Sequence, residues 1–317
     1  MRFGDRNKLQ GFSKDADQVE FNALIRSAAN IDSGLEDEKI AGTFDDEIEE
    51  LGLDHNAESW ATNDQAQDIL VGDIAEHIVW RQKKLGDLYP FDYSENHLRL
   101  KDDFSKVYIF CLCISMAKNL TKKTNARLPR YFEIIAGDIF TKFISPHARH
   151  LHTGWPRSTG NPKSFHKMAK KLRNKISKDT FEWYWQSQGG LKNADASLIK
   201  DCGVDFVTWI DFLDGRDGRF FALGQCACGH DWRTKYKDIS DKKLNHWFNP
   251  ISYIDFVKVF TTPHILVDEM MKEVSEEAGI TFDRIRLTLA YHKYIGKFDY
   301  MNDNFLNLID FCKKNEP

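Results

Sequence analysis

The stretch Lys200-Asp-Cys-Gly-Val-Asp205 ends in an aspartate that directly precedes an apolar run, Phe206–Leu213. A second apolar run, Arg219–Gly224, follows a Gly- and Asp-rich segment and leads into Gln225. Two apolar runs joined by such a turn predict a β-hairpin. In an antiparallel pair, Asp205 and Gln225 then lie near one another at the end away from the turn. The stretch therefore predicts two oxygen-bearing side chains on neighbouring strands, which suits a hard divalent cation.

Length and composition are those of a globular protein with a sizeable core. The 317 residues are 42% hydrophobic and 29% charged. No apolar run approaches the roughly 18 residues of a membrane helix, and no apolar segment of the secretory-signal type follows the first residues. Six cysteines are too few for the disulfide scaffold of a secreted domain. We therefore expect a cytoplasmic protein without a membrane partner.

Charge is distributed unevenly, although the net charge is only −4. Acidic residues dominate 32–58, whereas 118–178 contains fifteen Lys or Arg and only two acidic residues. A basic segment of this kind predicts a surface for a polyanion, and the alternative is a solvated face of a packed helix. The residues that we expect to bind nucleic acid are Lys163, Lys167, Lys170, Lys171, Arg173 and Lys175.

Hydrophobic periodicity outlines the remaining elements. Apolar residues at helical spacing predict helices over 68–80, 104–120, 129–143, 165–176, 232–244 and 266–278, and alternation predicts a strand over 255–260. The segment 145–162 is rich in Gly, Pro and His and is expected to be a connector. Its histidines His147, His150 and His152 either contact DNA or are solvated, and we favour the second interpretation.

The order of these elements indicates the fold class and the domains. From residue 129 onward, helices alternate with strands, which predicts an α/β fold with a mixed β-sheet flanked by helices. We therefore divide the chain into a helical N-terminal accessory region with an acidic segment, residues 1–125, and an α/β domain, residues 126–317. The accessory region is expected to serve regulation or partner docking.

One combination of motifs resembles the PD-(D/E)XK nuclease superfamily. A helix bearing Glu133, then Gly-Val-Asp205 on a strand, then a carboxamide on the paired strand carry the resemblance, which covers roughly residues 129–260. It implies a restriction-endonuclease-like core and a metal-dependent nuclease in which Asp205 binds Mg²⁺ or Mn²⁺. Gln225 would occupy the second acidic position, and Glu133 matches a glutamate that many members carry on the first helix.

The resemblance also implies a biological setting. The superfamily includes restriction enzymes, repair nucleases and anti-phage effectors of prokaryotes. It therefore implies DNA rather than RNA as the substrate, a role in anti-phage defence and a protein partner from the same defence system. It is also compatible with a homodimer that cuts both strands.

One part of the family pattern is missing. The residue two positions after the second ligand is normally a lysine, and here it is Ala227. That lysine is thought to position the attacking water and to stabilise developing negative charge. Lys235 is the first candidate to replace it, Lys200 is the second, and His230 is a candidate general base. The alternative is a catalytically inactive nuclease-fold subunit that binds nucleic acid or a partner protein.

Four soft or borderline ligands allow a different hypothesis. A zinc site could be formed by Cys202, Cys226, Cys228 and His230. The spacing Cys-x-Cys-x-His is tighter than the usual ligand gap of zinc sites, and buried structural cysteines are the favoured interpretation. A zinc-stabilised interaction domain is therefore the third functional hypothesis.

Overall fold

The computed structural model describes residues 3–31, 58–117, 120–121, 125–157, 160–186, 200–295 and 302–314. The predicted acidic segment therefore lies outside the described residues, apart from its last position. The chain forms two compact units. The first comprises residues 1–118, 265–270 and 301–317, and the second comprises 119–264 and 271–300. Within the described ranges, no helix is both long and apolar enough to cross a membrane.

The first unit is mainly helical. Its helices are α1 (Phe3–Arg26), α2 (Glu58–Leu85), α3 (Lys106–Met116) and α9 (Asn302–Lys314). Nearly every side chain of α3 is buried, as its apolar sequence predicts, because α1 and α9 both pack against it. The contact with α9 explains why the C-terminal segment belongs to this unit, whereas the sequence interpretation placed it in the second domain.

The first unit also contains a small sheet that the sequence interpretation missed. Its strands β1 (Ala28–Asn30), β2 (Phe91–Ser94) and β3 (His97–Leu100) are ordered β1-β3-β2, and both pairs are antiparallel. The strands are only three or four residues long, so their alternation is too short to distinguish from a loop. This region is therefore not purely helical.

The second unit is an α/β structure with a mixed sheet, as predicted. The strands β4 (Arg149–His152), β5 (Phe206–Ile210), β6 (Phe220–Cys226), β7 (Val257–Thr261) and β8 (Ile280–Phe282) lie in chain order across the sheet. β4, β5 and β6 are antiparallel neighbours, whereas β7 and β8 are parallel to β6. Its described helices are α4 (Arg127–Ile144), α5 (Phe165–Ile176), α6 (Asp241–Asn245), α8 (Arg284–Tyr294) and α7 (Asp268–Ala278) from residue 271 onward.

Helix α4 covers one face of this sheet. The Phe206 ring of β5 lies against Gly137 of α4, where an added Cβ would be 3.2 Å from the ring. One turn further along α4, the Thr141 hydroxyl is 2.9 Å from the Thr208 hydroxyl. Gly224 of β6 is covered by the same ring, because a Cβ at that position would be 2.0 Å from it. A side chain larger than hydrogen at residue 224 therefore requires the ring or the backbone to shift.

Helix α5 covers the opposite face. Its apolar stripe is buried against Val207, Trp209, Phe221 and Leu223, which alternate with the residues facing α4. This arrangement follows from the helical spacing of apolar residues in α5, which leaves the lysines on the outer face. The sheet is therefore buried on both sides at β5 and β6.

Two predicted elements differ from the structure. The predicted connector over 145–162 contains β4, an edge strand with a single aliphatic residue and hence little alternation. The predicted helix over 232–244 is a short 3₁₀ turn, Trp232–Thr234, followed by α6. The hairpin and the helices over 129–143, 165–176 and 266–278 are confirmed within a few residues at their ends.

Candidate active site

Asp205 is held in place by the backbone on both sides. Its N–H donates to the Gly224 carbonyl at 2.8 Å, and its carbonyl accepts from Thr153 and Gly154 at 2.7 and 2.9 Å. Its side chain accepts a hydrogen bond from the Cys226 N–H at 2.7 Å through Oδ2. The segment before β5 is thus fastened both to β6 and to the end of β4. The carboxylate has one fixed oxygen and one, Oδ1, that remains for another ligand.

The carboxylates of Glu133 and Asp205 converge beside Gly154. A Cβ added to Gly154 would lie 2.5 Å from Glu133 Oε2 and 2.8 Å from Asp205 Oδ1. The two oxygens are therefore no farther apart than the sum of these distances. Only a glycine leaves room for both carboxylates at this point in the chain. This upper limit is compatible with both oxygens binding one cation.

Burial raises the pKa of both carboxyl groups. The pKa of Glu133 rises from its ordinary 4.5 to about 8, mainly because the group is buried and secondarily because of Asp201, whereas Arg130 opposes the shift. The pKa of Asp205 is raised well above 3.8 by burial and by the charges of Glu133 and Asp201. The charge of Glu133 thus disfavours the ionisation of Asp205. A bound cation would relieve this repulsion.

His152 completes the buried cluster. Its Nε2 is 2.5 Å from Glu133 Oε2, and burial, followed by the charges of Arg130 and Arg157, lowers its pKa from 6.5 to about 4. Because the imidazole is then neutral at pH 7, this contact is a hydrogen bond that shares one proton and not an ion pair. The prediction that His152 belongs to a solvated connector is wrong, since β4 places it in the sheet.

Gln225 is next to Asp205 along the hairpin, but its side chain is engaged elsewhere. Phe206 pairs with Gly224, so Asp205 and Gln225 occupy the neighbouring positions at this end of β5 and β6, as predicted. The Gln225 amide donates to Asp238 Oδ2 at 3.1 Å. By strand alternation it lies on the face of Phe221 and Leu223. The thiol of Cys226, in contrast, interacts with Asp205 and Glu133.

The two lysine candidates lie in exposed surroundings. Lys235 follows the 3₁₀ turn and pairs with Asp231 at 3.0 Å, and both side chains are at least 40% exposed. An exposed ion pair of this kind contributes little to stability, so it does not hold the Lys235 side chain in one position. Lys200 is exposed, and its carbonyl accepts a hydrogen bond from Arg157. Among the described residues, neither ammonium group forms an ion pair with Glu133 or Asp205.

The zinc hypothesis is not supported. The structure describes all four proposed ligands, and no group of three or more His, Cys, Asp or Glu in the described ranges has the arrangement of a metal site. Cys226 instead accepts a hydrogen bond from Thr261 at 3.0 Å. Burial and the adjacent carboxylates raise the pKa of its thiol, which therefore stays protonated.

The carboxylate pair does fit a magnesium-type ion. Mg²⁺ usually binds through one or two protein carboxylates and takes its remaining ligands from water and substrate phosphates. Glu133 and Asp205 supply two carboxyl groups, which become charged when the cation displaces their protons, and the Cys226 N–H holds Asp205 Oδ2 in place. The donor set is made only of oxygen, which Mg²⁺ and Mn²⁺ prefer.

The predicted nucleic-acid surface is the outer face of α5 together with Lys163, which lies just before the helix. Lys163, Lys167, Lys170 and Lys175 are exposed there. Two further cations have partners within the unit: Lys171 donates to Asn161 at 2.5 Å, and Arg173 donates to the Thr180 carbonyl at 2.7 Å. Four of the six predicted cations are thus presented to solvent on one surface.

The buried pair predicts that metal-free protein loses stability as pH rises. Native Glu133 keeps its proton up to about pH 8, whereas an unfolded glutamate loses it near 4.5, so folding retains a proton between these values. Stability from this source is therefore fully present at low pH and is lost through pH 8. We expect the free energy of unfolding in EDTA to fall between about pH 6.5, above which His152 no longer contributes, and about pH 8, and to level off above pH 8.

Urea unfolding of the wild type and of Glu133→Gln measures this effect. The variant should lose less stability over the same interval, because it lacks the proton that native Glu133 retains there. Equal losses in both proteins would show that Glu133 does not retain its proton in the native state.

Comparisons of this chain with protein-family models, with curated proteins and with solved structures find no significant match.

Proposed function

We propose that this protein is a metal-dependent nuclease of the PD-(D/E)XK type that cleaves DNA. The observation that carries the proposal is the convergence of the buried Glu133 and Asp205 carboxylates beside Gly154. The two groups come from a helix and from the start of a strand in a mixed sheet, which is the arrangement that the resemblance implies. We further propose a restriction-endonuclease-like core and a cytoplasmic role as an effector of anti-phage defence.

In this proposal the chain's own residues prepare the site for phosphodiester hydrolysis. Glu133 and Asp205 would hold Mg²⁺ or Mn²⁺, which supplies Lewis-acid chemistry when bound. The Cys226 N–H orients Asp205, and His152 holds the proton shared with Glu133. His152 is therefore a better-placed proton acceptor than His230, the candidate chosen from sequence. Gln225 would act indirectly, through its hydrogen bond to Asp238.

The exposed lysines support a polyanionic substrate. Lys163, Lys167, Lys170 and Lys175 present positive charge on the outer face of α5 and just before the helix. Lys235 is available as a further phosphate contact, because its ion pair with Asp231 is solvent-exposed. Such contacts are independent of base sequence, and binding through them weakens steeply with salt. A protein partner and a homodimer are proposed only because the resemblance to the nuclease superfamily implies them.

The second candidate function is a catalytically inactive nuclease-fold subunit that binds nucleic acid or a partner protein. Two observations favour it. Ala227 stands where the family pattern has its lysine, and the Gln225 side chain is bonded to Asp238 rather than directed at Asp205. In this alternative the basic surface of α5 keeps its role and the carboxylate pair holds only a proton.

Nicking of supercoiled plasmid by the purified full chain separates the two functions. The nuclease predicts conversion to open-circular DNA with Mg²⁺ or Mn²⁺ and none with EDTA. The inactive subunit predicts salt-sensitive DNA binding without conversion under any of these conditions. The second result would overturn the nuclease proposal.

A further inference from the structure

Arg130 lies on the face of α4 that carries the site. Glu133, Gly137 and Thr141 are spaced by four residues, and the last two contact Phe206 and Thr208 of β5. Arg130 is three residues before Glu133, so it extends the same stripe by one turn. Arg130 is thus on the sheet-facing side of α4, one turn before Glu133.

The Arg130 guanidinium has no partner among the described residues, although acidic groups are near. Its Nε is buried and makes no hydrogen bond. Among the described residues no carboxylate forms an ion pair with it, and Glu133, one helical turn away, is bonded to His152. Its charge nevertheless acts on both Glu133 and His152. A half-buried cation that neutralises no contacting acid is free to bind an anion from outside.

The other cations near the site are engaged or exposed. Arg157 donates to the carbonyls of Lys163 and Lys200, which ties the loop after β4 to the segment before Asp205. Lys235 is paired with Asp231 in solvent. Arg130 therefore differs from both, since it is partly buried, unpaired among the described residues and one helical turn from Glu133.

We propose that Arg130 is a catalytic residue that binds the phosphate undergoing cleavage, in place of the lysine that Ala227 lacks. This inference rests on the proposed nuclease function. A guanidinium can donate two parallel hydrogen bonds to the non-bridging oxygens of a phosphodiester. In the hydrolysis, a water oxygen bonds to phosphorus, the bond to one ester oxygen breaks, and a proton moves from the water to the leaving oxygen through solvent. Arg130 stabilises the negative charge that grows on the non-bridging oxygens.

Two measurements on the full chain test the role of Arg130. The first is the rate of plasmid nicking with Mn²⁺, and the second is the salt dependence of binding to a fluorescent DNA duplex in EDTA. Arg130→Gln should slow nicking by about 100-fold and reduce the slope of log affinity against log salt by about one unit, as expected for one lost phosphate contact. Arg130→Lys should keep the salt slope and recover part of the rate.

Lys272→Gln is the matched control, because Lys272 is an exposed cation on α7 of the same unit. It should leave both readouts unchanged. If Arg130→Gln behaves like this control in either measurement while the wild type nicks DNA, the role of Arg130 is overturned and the nuclease remains. If the wild type does not nick but Arg130→Gln still lowers the salt slope, the nuclease proposal fails and the phosphate contact stands.

Discussion

Replacing Asp205 by asparagine should abolish metal-dependent nicking, with a loss of about 1000-fold or more. The substitution is nearly isosteric, and the amide oxygen can still accept the Cys226 N–H. What is lost is the negative charge that, with Glu133, would hold the cation. Because a neutral amide also removes a buried carboxyl group whose ionisation is opposed by burial and by the charges of Glu133 and Asp201, we expect Asp205→Asn to be at least as stable as the wild type.

Asp231→Asn is the control for this substitution. Asp231 is exposed and pairs with Lys235 in the turn after β6, so its loss should change the nicking rate by no more than a few-fold. Melting temperatures of both variants show whether the fold is intact. A stable Asp205→Asn protein that still nicks plasmid at the wild-type rate would remove Asp205 from the mechanism.

Replacing Gly224 by alanine should lower the free energy of unfolding by about 3 kcal/mol. The new methyl group would lie 2.0–2.4 Å from three atoms of the Phe206 ring. The ring itself is confined between β6 and α4, where it packs on Gly137 and Phe140. It has no open space to move into, so strain must spread into β5 or α4. Chemical denaturation monitored by fluorescence gives the magnitude.

A double-mutant cycle with Phe206→Leu tests the cause of this loss. The shorter side chain opens space over residue 224, so Gly224→Ala should cost much less in the Phe206→Leu background than in the wild type. If the two substitutions are additive, the destabilisation does not come from the contact between this ring and residue 224.

Local patterns in the sequence were sufficient to predict the hairpin and helix α4. The apolar runs on either side of the Gly- and Asp-rich turn place Asp205 and Gln225 at the same end of β5 and β6, and the structure confirms this. The helical spacing of apolar residues from Phe132 to Phe143 places Glu133 on the flank of a stripe, and α4 follows it. Both predictions depend on contacts between residues close in the chain.

The composition of the site could not be predicted in the same way. Glu133 and Asp205 are brought together by the packing of α4 on β5, and no local pattern reports that distance. His152 was missed because β4 is a four-residue edge strand with little alternation. Asp201, whose charge acts on both carboxylates, lies in an irregular segment before β5. No sequence pattern pointed to Gly154, because the two carboxylates that lie beside it come from distant parts of the sequence.

We infer that Glu133 and Asp205 together form one binding site for a divalent cation. Titration of the full chain with Mn²⁺, followed by electron paramagnetic resonance of the free ion, measures this directly at about pH 8, where the competing proton on Glu133 is leaving. We predict saturable Mn²⁺ binding by the wild type that is lost in Asp205→Asn and in Glu133→Gln, and retained in Asp231→Asn. Equal Mn²⁺ binding by all four proteins, or none by the wild type, would contradict the claim.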